Sequence, residues 1–374
     1  MSVLLLIFGL LFFVGLVVIH EFGHFIAARR NGVEVEEFGI GFPPRAKVLK
    51  KKAGTEYTLN WLPLGGFVKL KGEHDADNEP GTFGAASLLA KVKIMTAGVG
   101  MNLLAAFVLF TLVALVGMPK LVDNQFTVRR DTKLVRQELL AGYIEPDSPA
   151  QKGGLQGRDR LVAIGPVGQE QQVGEPDRFP DLTEAYAGKT VAVIYERDGK
   201  QQSTTVQLRS RQEVEASKKT DSPKGYLGIA PSEFVMQRST WSAPIVAIGL
   251  IKQFSILTVS GLGSALSNLA DGNTQKATEQ VAGPVGIFVV LRDGSLLGYQ
   301  FVLFIIAIIS LTLAVMNILP IPALDGGRLF VTLLFRAVRR PLSQKTEDLI
   351  HGTGFALLMV LFILITVVDV RRFF

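Results

Sequence analysis

The sequence predicts a polytopic α-helical membrane protein with about four transmembrane helices, a cytoplasmic-side β-hairpin and an inserted β-rich domain. Of its 374 residues, 48% are hydrophobic, and the mean hydropathy is +0.34. Such a chain is too apolar for an ordinary soluble globule, and it is long enough for several spans and one polar domain. A long polar segment between the apolar runs supports the inserted domain.

Four stretches are long enough to cross a bilayer, which requires about 20 apolar residues. They cover residues 3–28, 94–118, 296–319 and 349–368. These spans divide the chain into four predicted regions, which are a first membrane half at 1–118, a polar domain at 119–240, an amphipathic or re-entrant region at 241–295, and a second membrane half at 296–374.

Basic residues beside the apolar runs predict how the chain is oriented. The net charge is +6, and much of the excess lies in short stretches such as residues 47–52 and 336–340. This pattern is typical of cytoplasmic loops, so we expect no nucleic-acid partner. Residues 29–93 and 328–348 are therefore predicted to be cytoplasmic and 119–240 external. Arg371 and Arg372 at the far end of the last span do not follow this rule.

The inserted segment favours β structure. Residues 190–197 and 202–208 have the composition of strands and are joined through Asp198-Gly199, a strong hairpin signal. Ser148 and Pro149 are typical of a helix start, as the N-cap and the first helical residue.

An H-E-x-x-H motif, His20-Glu21-Phe22-Gly23-His24, ends the first apolar run. On a helix, residues i and i+4 share a face, so both imidazoles can bind one metal ion while Glu21 accepts a proton from its water ligand. A chance pentapeptide is the weaker interpretation, because ionisable residues at the edge of a span are costly and by default functional.

Two histidines leave such a site incomplete, since a catalytic zinc ion usually has three protein ligands. The chain has no Cys, so the third ligand must be a carboxylate or another His. His74 and His351 are candidates, but a solvated or interfacial role suits each of them better. Asp325 is favoured because Pro320 and Pro322 must interrupt the helix before it, and irregular backbone at membrane depth is tolerated only inside protein or beside a wet cavity.

The topology then constrains residues 241–270, which are apolar but contain many polar residues and Lys252. His20 and His24 lie near the cytoplasmic end of an inward-running span, and Asp325 follows another inward-running span. These side chains reach one depth only if 241–270 does not cross completely, so we expect that segment to be interfacial or re-entrant.

The sequence resembles the site-2 protease family of intramembrane zinc metalloproteases, in particular the bacterial type with one inserted PDZ-like domain. The resemblance covers nearly the whole chain. It rests on H-E-x-x-H at 20–24 and N-x-x-P-x-P-x-L-D-G-G at 317–327, with shorter matches at 37–44, 63–69 and 282–287. The chain departs from the family at Val99, where Pro is usual, and by one inserted residue in the turn at 154–159.

The resemblance implies an enzyme that hydrolyses peptide bonds in transmembrane segments after a first cut elsewhere. It implies one zinc ion per chain, bound by His20, His24 and Asp325. It also implies that Glu21 is the general base and that Asn317 holds the substrate or supports the site.

The cytoplasmic hairpin is predicted to contact the substrate. Residues 55–62 and 67–71 have the composition of two strands around Pro63-Leu64-Gly65-Gly66. An exposed strand edge can bind an extended peptide through main-chain hydrogen bonds. The candidate substrate-binding residues are Gly65, Gly66, Phe67 and Val68. The sequence does not show which strand forms the edge, and a hairpin that only plugs the membrane surface is the alternative.

The PDZ-like domain has two interpretations: a peptide-end binder with residues 225–229 as its carboxylate-binding loop, or a filter that excludes substrates with bulky external domains.

We expect a multi-pass protein of the bacterial inner (cytoplasmic) membrane with this domain outside. Its expected partners are the lipid bilayer and transmembrane substrates such as anti-sigma factors or remnant signal peptides. The alternatives are a non-catalytic membrane metal-binding or transport protein, which does not need Glu21, and an adaptor.

Overall fold

The computed structural model describes residues 2–173, 178–197, 199–220, 222–273, 276 and 282–374. The chain divides into two compact units. We call the first the helical unit; it comprises Met1–Met118, Asn124–Asp131 and Ser239–Phe374. We call the second the inserted unit; it comprises Pro119–Asp123 and Thr132–Arg238.

The described helices and strands of the inserted unit form one run in the sequence, between two groups that belong to the helical unit. The helices are α1 (Ser2–Arg30), α2 (Leu88–Val116), α3 (Pro149–Lys152), α4 (Arg178–Ala185), α5 (Arg211–Ser217), α6 (Ala243–Ala270), α7 (Pro284–Ser295), α8 (Tyr299–Ile318), α9 (Asp325–Ala337) and α10 (Gln344–Phe373). The strands are β1 (Val35–Lys52), β2 (Thr55–Leu70), β3 (Met118–Pro119), β4 (Lys133–Ile144), β5 (Arg160–Gly165), β6 (Gln171–Gln172), β7 (Thr190–Arg197), β8 (Lys200–Gln207) and β9 (Ile229–Arg238).

Five of the described helices, α1, α2, α6, α8 and α10, are long and apolar enough to cross a membrane. Four of them overlap the predicted spans, and α6 is the fifth. Helix α6 is continuous over Ala243–Ala270, and the interfacial or re-entrant placement of residues 241–270 stays a prediction. Its polar side chains do not interrupt the helix, since Thr258 and Asn268 donate to the carbonyl oxygens of Phe254 and Ser264 one turn earlier.

Helix α2 forms the centre of the helical unit and contacts α1, α6 and α8. The rings of Phe110, Phe254 and Phe304 meet there, with centroid distances of 5.4–6.1 Å. Further along, Ser310 Oγ of α8 donates to the backbone oxygen of Asn102 of α2 at 2.9 Å. Phe304 lies beside Phe110, and Ser310, later in α8, lies beside Asn102, earlier in α2. Helix α8 is therefore antiparallel to α2, and it ends near the end of α1.

Strands β1 and β2 fold back on each other as a four-segment sheet. Phe38 pairs with Tyr57 on one side and with Val68 on the other. The predicted pairing of residues 55–62 with 67–71 around 63–66 is therefore wrong, because residues 37–40 lie between them. Gly39 allows this insertion, since a Cβ there would lie 2.3 Å from the Phe67 ring. The segments at the two edges are 45–52 and 66–70.

Aromatic contacts fix this sheet against the end of α1. Phe25 of α1 lies 5.6 Å from Phe38 and 6.1 Å from Tyr57, measured between ring centroids. Phe25 and Phe38 are buried in one apolar cluster with Val35, Leu70 and Phe83. Edge-to-face ring pairs of this kind add to the stabilisation from burial. As a result, the edge segment 66–70 lies beside the H-E-x-x-H turn.

Residues 124–131 belong to the helical unit, although the sequence grouped them with the polar domain. The Asp131 carboxylate accepts hydrogen bonds from the backbone of Thr240 and Ser242 at 2.7 and 3.0 Å, and from the Ser242 hydroxyl at 2.6 Å. Burial alone would raise the pKa of Asp131, but the hydrogen bonds from Ser242 and Thr240 hold it well below its usual range. This carboxylate fixes the chain where α6 begins.

The inserted unit is a β-rich domain with strand order β9-β4-β5-β7-β8 and β6 beside β5. Its core contains Leu139, Ile164, Val191 and Phe179. The predicted hairpin is present as β7 and β8; Asp198 of its turn lies outside the described residues. Ser148 caps α3 as predicted, since its Oγ accepts from the Gln151 N–H at 3.2 Å.

Candidate metal centre

The centre begins with the two histidines of α1. His20 and His24 are one helical turn apart and therefore lie on one face of α1. Their Nε2 atoms are 3.2 Å apart. Both side chains are largely buried, with 9% and 12% exposed.

Asp325 completes a three-residue cluster. Its Oδ2 lies 3.0 Å from Nε2 of His20 and 3.1 Å from Nε2 of His24. The carboxylate is 27% exposed, so the cluster is open on one side.

The connection between α8 and α9 brings Asp325 to this position. Helix α8 ends at Ile318, and α9 begins at Asp325. The loop between them contains Pro320 and Pro322, which cannot continue a regular helix. A Cβ at Gly327 would lie 1.9 Å from the backbone oxygen of Ile321, so only glycine allows α9 to start this close to the loop.

The donor set suits a metal ion. The three ligand atoms lie within 4.8 Å of one another, and no other such group of His, Asp and Glu occurs among the described residues. Tetrahedral zinc with ligand bonds of about 2.0–2.2 Å places its ligand atoms about 3.3–3.6 Å apart. The observed separations of 3.0–3.2 Å are close to this value. Imidazole nitrogens with one carboxylate are also ligands that zinc prefers.

The other two histidines considered from the sequence lie outside the cluster. Nε2 of His74 contacts the Asp348 carboxylate at 2.9 Å. Nδ1 of His351 accepts from the backbone N–H of Ala323 at 3.3 Å. Both line a neighbouring cleft of about 450 Å³ beside Asp325.

Contacts from α2 orient the histidines. Nδ1 of His24 donates to the backbone oxygen of Ile94 at 2.8 Å, which leaves Nε2 free to bind a metal ion. A Cβ at Gly98 would lie 2.4 Å from Nε2 of His24 and 2.6 Å from Cε1 of His20. Glycine at this position therefore makes room for both imidazole rings.

Glu21 lies in a small polar cleft of about 110 Å³ that also contains His24, Asp325 and Val68. The backbone N–H of Val68, in edge segment 66–70, donates to the Glu21 carboxylate. A Cβ at Gly66 would lie 3.6 Å from Cγ of Glu21. The carboxylate and the strand edge are therefore immediate neighbours.

Arg328 ties the helix of Asp325 to the segment between β2 and α2. Its guanidinium donates to the backbone oxygen of Glu73, lies 3.6 Å from the Glu73 carboxylate and 3.8 Å from that of Glu347. It also stacks over the ring of Phe83, 5.0 Å from the centroid. These contacts fix the first turn of α9, which carries Asp325.

The predicted substrate-binding residues differ in their positions. The Asn317 amide donates to the backbone oxygen of Leu313 in its own helix at 3.0 Å, and no contact with the three-residue cluster is seen among the described residues. Gly66 and Val68 lie beside Glu21, as described above. Gly65 has φ +84° and packs on the Phe42 ring, while the Phe67 ring covers Gly39.

Sequence analysis missed the contacts made by Ile94, Val68 and Arg328. The first two use backbone atoms, which carry no residue-type signal. Arg328 follows Asp325 by three residues, so helical spacing could have placed it on the same face.

These features define a multi-pass helical membrane protein in which two histidines and one aspartate form a candidate metal site beside a glutamate. The family model described as Peptidase family M50 matches residues 8–361. The chain is 31% identical to "Putative zinc metalloprotease CPE1693" of Clostridium perfringens, with 98% of each chain covered. It is 26% identical to "Zinc metalloprotease RasP" of Geobacillus kaustophilus, covering 97% of this chain and 96% of the relative. It is also 26% identical to "Probable protease eep" of Enterococcus faecalis, covering 99% and 98%.

The chain therefore belongs to peptidase family M50, the site-2 proteases. It is an intramembrane zinc metalloprotease that acts on membrane proteins. The predicted family and reaction class are thus confirmed, and a non-catalytic metal-binding, transport or adaptor role is not supported.

Replacing Gly98 by Ala tests the space that the histidines need. We expect Gly98→Ala to lose stoichiometric zinc, because the added Cβ would overlap both imidazole rings. Gly100→Ala is the matched control, since it makes the same change on the same helix and no atom lies within 4 Å of the added Cβ. The measurement is the zinc content per purified chain. A full zinc complement in Gly98→Ala would show that the close packing of Gly98 against the imidazole rings does not shape the centre.

Proposed function

We propose that His20, His24 and Asp325 bind one zinc ion and that Glu21 is the general base for hydrolysis of peptide bonds in transmembrane segments. One observation supports the ligand set most strongly. Residues about 300 positions apart in the sequence place three ligand atoms within 3.2 Å of one another. Polar side chains at membrane depth are costly unless they meet partners or a metal ion.

The residues around the cluster have separate tasks in this mechanism. Zinc supplies a Lewis acid that polarises the scissile carbonyl and lowers the pKa of a water ligand to about 7. Glu21 takes a proton from the attacking water and passes it to the leaving amine. The Val68 N–H holds the Glu21 carboxylate in place through its hydrogen bond. Arg328 keeps Asp325 at the cluster by anchoring α9.

Edge segment 66–70 is the proposed binding site for the unwound substrate. It pairs with β1 on one side only among the described strands. The N–H groups of Val68 and Leu70 donate to the side chains of Glu21 and Glu73, so they point away from β1. Because alternate residues of a strand point the same way, the N–H of Gly66 also faces the free edge. An extended peptide can pair with this edge next to the proposed base.

Gly65, Phe67 and Asn317 complete the proposed substrate-binding set. Gly65 and Phe67 shape the start of the edge through their contacts with Phe42 and Gly39. The Asn317 amide donates one N–H to the Leu313 carbonyl. We propose that it supports the end of α8 when no substrate is bound.

We propose that the inserted unit is PDZ-like and acts as a size filter, so that cleavage follows a first cut that removes a bulky external domain. One observation favours the alternative, a peptide-binding loop at residues 225–229. The backbone oxygens of Gly225, Tyr226, Leu227 and Gly228 all accept hydrogen bonds from within the domain. The backbone N–H groups of this loop, and not these carbonyl oxygens, would then be available to bind a peptide carboxylate.

The proposed location is the bacterial inner (cytoplasmic) membrane, with the inserted unit outside and the β1–β2 sheet in the cytoplasm. Basic residues around 47–52 and 336–340 support this orientation. We propose transmembrane substrates such as anti-sigma factors or remnant signal peptides, whose remaining external parts are small enough to pass such a filter.

Replacing Glu21 by Gln separates catalysis from metal binding. Glu21→Gln should lower cleavage of a transmembrane substrate by at least about 100-fold, the usual contribution of a general base. Zinc content should stay near one per chain, because Glu21 is not a proposed ligand. Asp325→Ala should instead lose zinc, while His74→Ala and His351→Ala should keep it. Near-wild-type turnover in Glu21→Gln would exclude the base, and normal zinc in Asp325→Ala would exclude that ligand.

Two substitutions at Gly66 test strand addition. Gly66→Pro removes the outward N–H, whereas Gly66→Ala adds a Cβ and keeps that donor. We expect Gly66→Pro to retain zinc but cleave a helical membrane substrate much more slowly than Gly66→Ala does. Equal cleavage by the two zinc-replete variants would mean that the sheet is only a structural plug.

The absence of Cys allows labelling to determine topology. Single cysteines at Lys51 and Arg339 should be shielded from an impermeant external thiol reagent, and one at Lys200 should react. A cysteine at Asp271, just after α6, decides the number of spans. External labelling there means that α6 lies at the outer surface, and protection means that it crosses. Labelling of Lys51→Cys from outside would reverse the proposed orientation.

A further inference from the structure

A buried asparagine contacts the first proposed zinc ligand. Asn102 lies in the middle of the apolar helix α2 and is 1% exposed. Its Nδ2 is 3.2 Å from Nδ1 of His20. Its Oδ1 is buried and has no hydrogen-bond partner among the described residues. A buried polar group of this kind is costly when unsatisfied, so a specific purpose is expected.

The chemistry of the ligand determines which way this amide must face. His20 can bind a metal ion through Nε2 only as a neutral imidazole with its proton on Nδ1. Nδ1 is then a donor and needs an acceptor. With Nδ2 facing Nδ1, two donors would oppose each other. Turning the amide of Asn102 by 180° places Oδ1 at Nδ1 instead, and no described group competes for that oxygen.

The backbone of Asn102 fixes this contact in space. Its carbonyl oxygen accepts a hydrogen bond from Ser310 Oγ at 2.9 Å, and both groups are buried. Ser310 is on α8, which leads to Asp325. The amide is therefore held at one depth between the helix that carries His20 and the helix that leads to the third ligand.

The two histidines are supported in a parallel way. His24 donates from Nδ1 to the backbone oxygen of Ile94, and His20 faces Asn102 two turns further along α2. Gly98 lies midway between Ile94 and Asn102 and leaves room for the rings. With the Asn102 amide turned, one helix would present an Nδ1 acceptor to each imidazole.

We propose that Asn102 is a positioning residue that accepts from Nδ1–H of His20 and so keeps its Nε2 free for zinc. This inference rests on the proposed ligand set. It predicts that tight zinc binding needs the acceptor oxygen of residue 102 and not merely the volume of its side chain.

Three variants of the full-length protein in detergent test this role. Asn102→Leu keeps approximate volume and removes the acceptor. Asn102→Asp keeps an acceptor oxygen in the same place. Thr111→Val is a control for polar-to-apolar change elsewhere on α2, where the hydroxyl only donates to the Phe107 carbonyl. The readouts are zinc affinity by chelator competition, the visible spectrum of the Co²⁺-substituted protein, and the melting temperature of the metal-free protein.

We expect Asn102→Leu to bind zinc about 10–100-fold more weakly, the usual loss when a group that supports a ligand is removed. Its Co²⁺ spectrum should also change. Asn102→Asp and Thr111→Val should bind zinc close to wild-type strength. Wild-type affinity in Asn102→Leu, or equal losses in Asn102→Leu and Asn102→Asp, would overturn the proposal.

Folding and the ligand set have separate controls. If metal-free Asn102→Leu melts well below the metal-free wild type, Asn102→Ala replaces it in the comparison with Asn102→Asp, under the same criteria. His20→Ala tests the ligand set itself. If His20→Ala retains zinc, that ligand set is refuted. If His20→Ala loses zinc while Asn102→Leu and Asn102→Ala bind it as the wild type does, only the role of Asn102 is refuted.

Discussion

The close approach of α1 and α2 is the constraint on which the catalytic half of the molecule depends. A Cβ at Gly23 would lie 2.5 Å from the backbone oxygen of Ala97, and one at Gly98 would overlap the histidine rings. Lipid tails are as apolar as the helices, so association in a membrane depends on tight packing and hydrogen bonds. Small residues therefore allow the contact, and the His24–Ile94 bond stabilises it. The same contact builds the metal centre and holds the helices together.

The second constraint is the interruption between α8 and α9. A continuous helix from α8 would carry residue 325 about 10 Å further along its axis than residue 318, at 1.5 Å per residue. The two prolines end α8, and the loop folds back so that Asp325 reaches the histidines. Pro322 packs on Gly354 of α10, where a Cβ would lie 2.4 Å away. This contact covers part of the irregular backbone, which is tolerated at membrane depth only against protein or beside a wet cavity.

Sequence reasoning succeeded where the signal was local. The spacing of His20 and His24 follows from helix geometry, and Pro320 and Pro322 mark the break before Asp325. It failed where pairing is long-range. Nothing local shows that residues 37–40 insert between two segments of β2, because strand composition does not specify partners. The contact between Asn102 and His20 depends on the rotation of α2 about its axis, although a lone Asn inside an apolar span was a usable signal.

The arrangement of the edge beside Glu21 links the proposed substrate binding to the proposed catalysis. In a membrane helix every backbone group is already hydrogen-bonded, and opening the helix leaves several of them unsatisfied at a cost of several kcal/mol each. Segment 66–70 can replace part of that bonding, since its free edge faces away from β1. The Val68 N–H of the same edge donates to Glu21, so a peptide paired there lies next to the proposed base. Substrate helices that open readily near the cut lose less bonding, and we therefore expect selectivity to depend on local helix stability more than on side-chain identity.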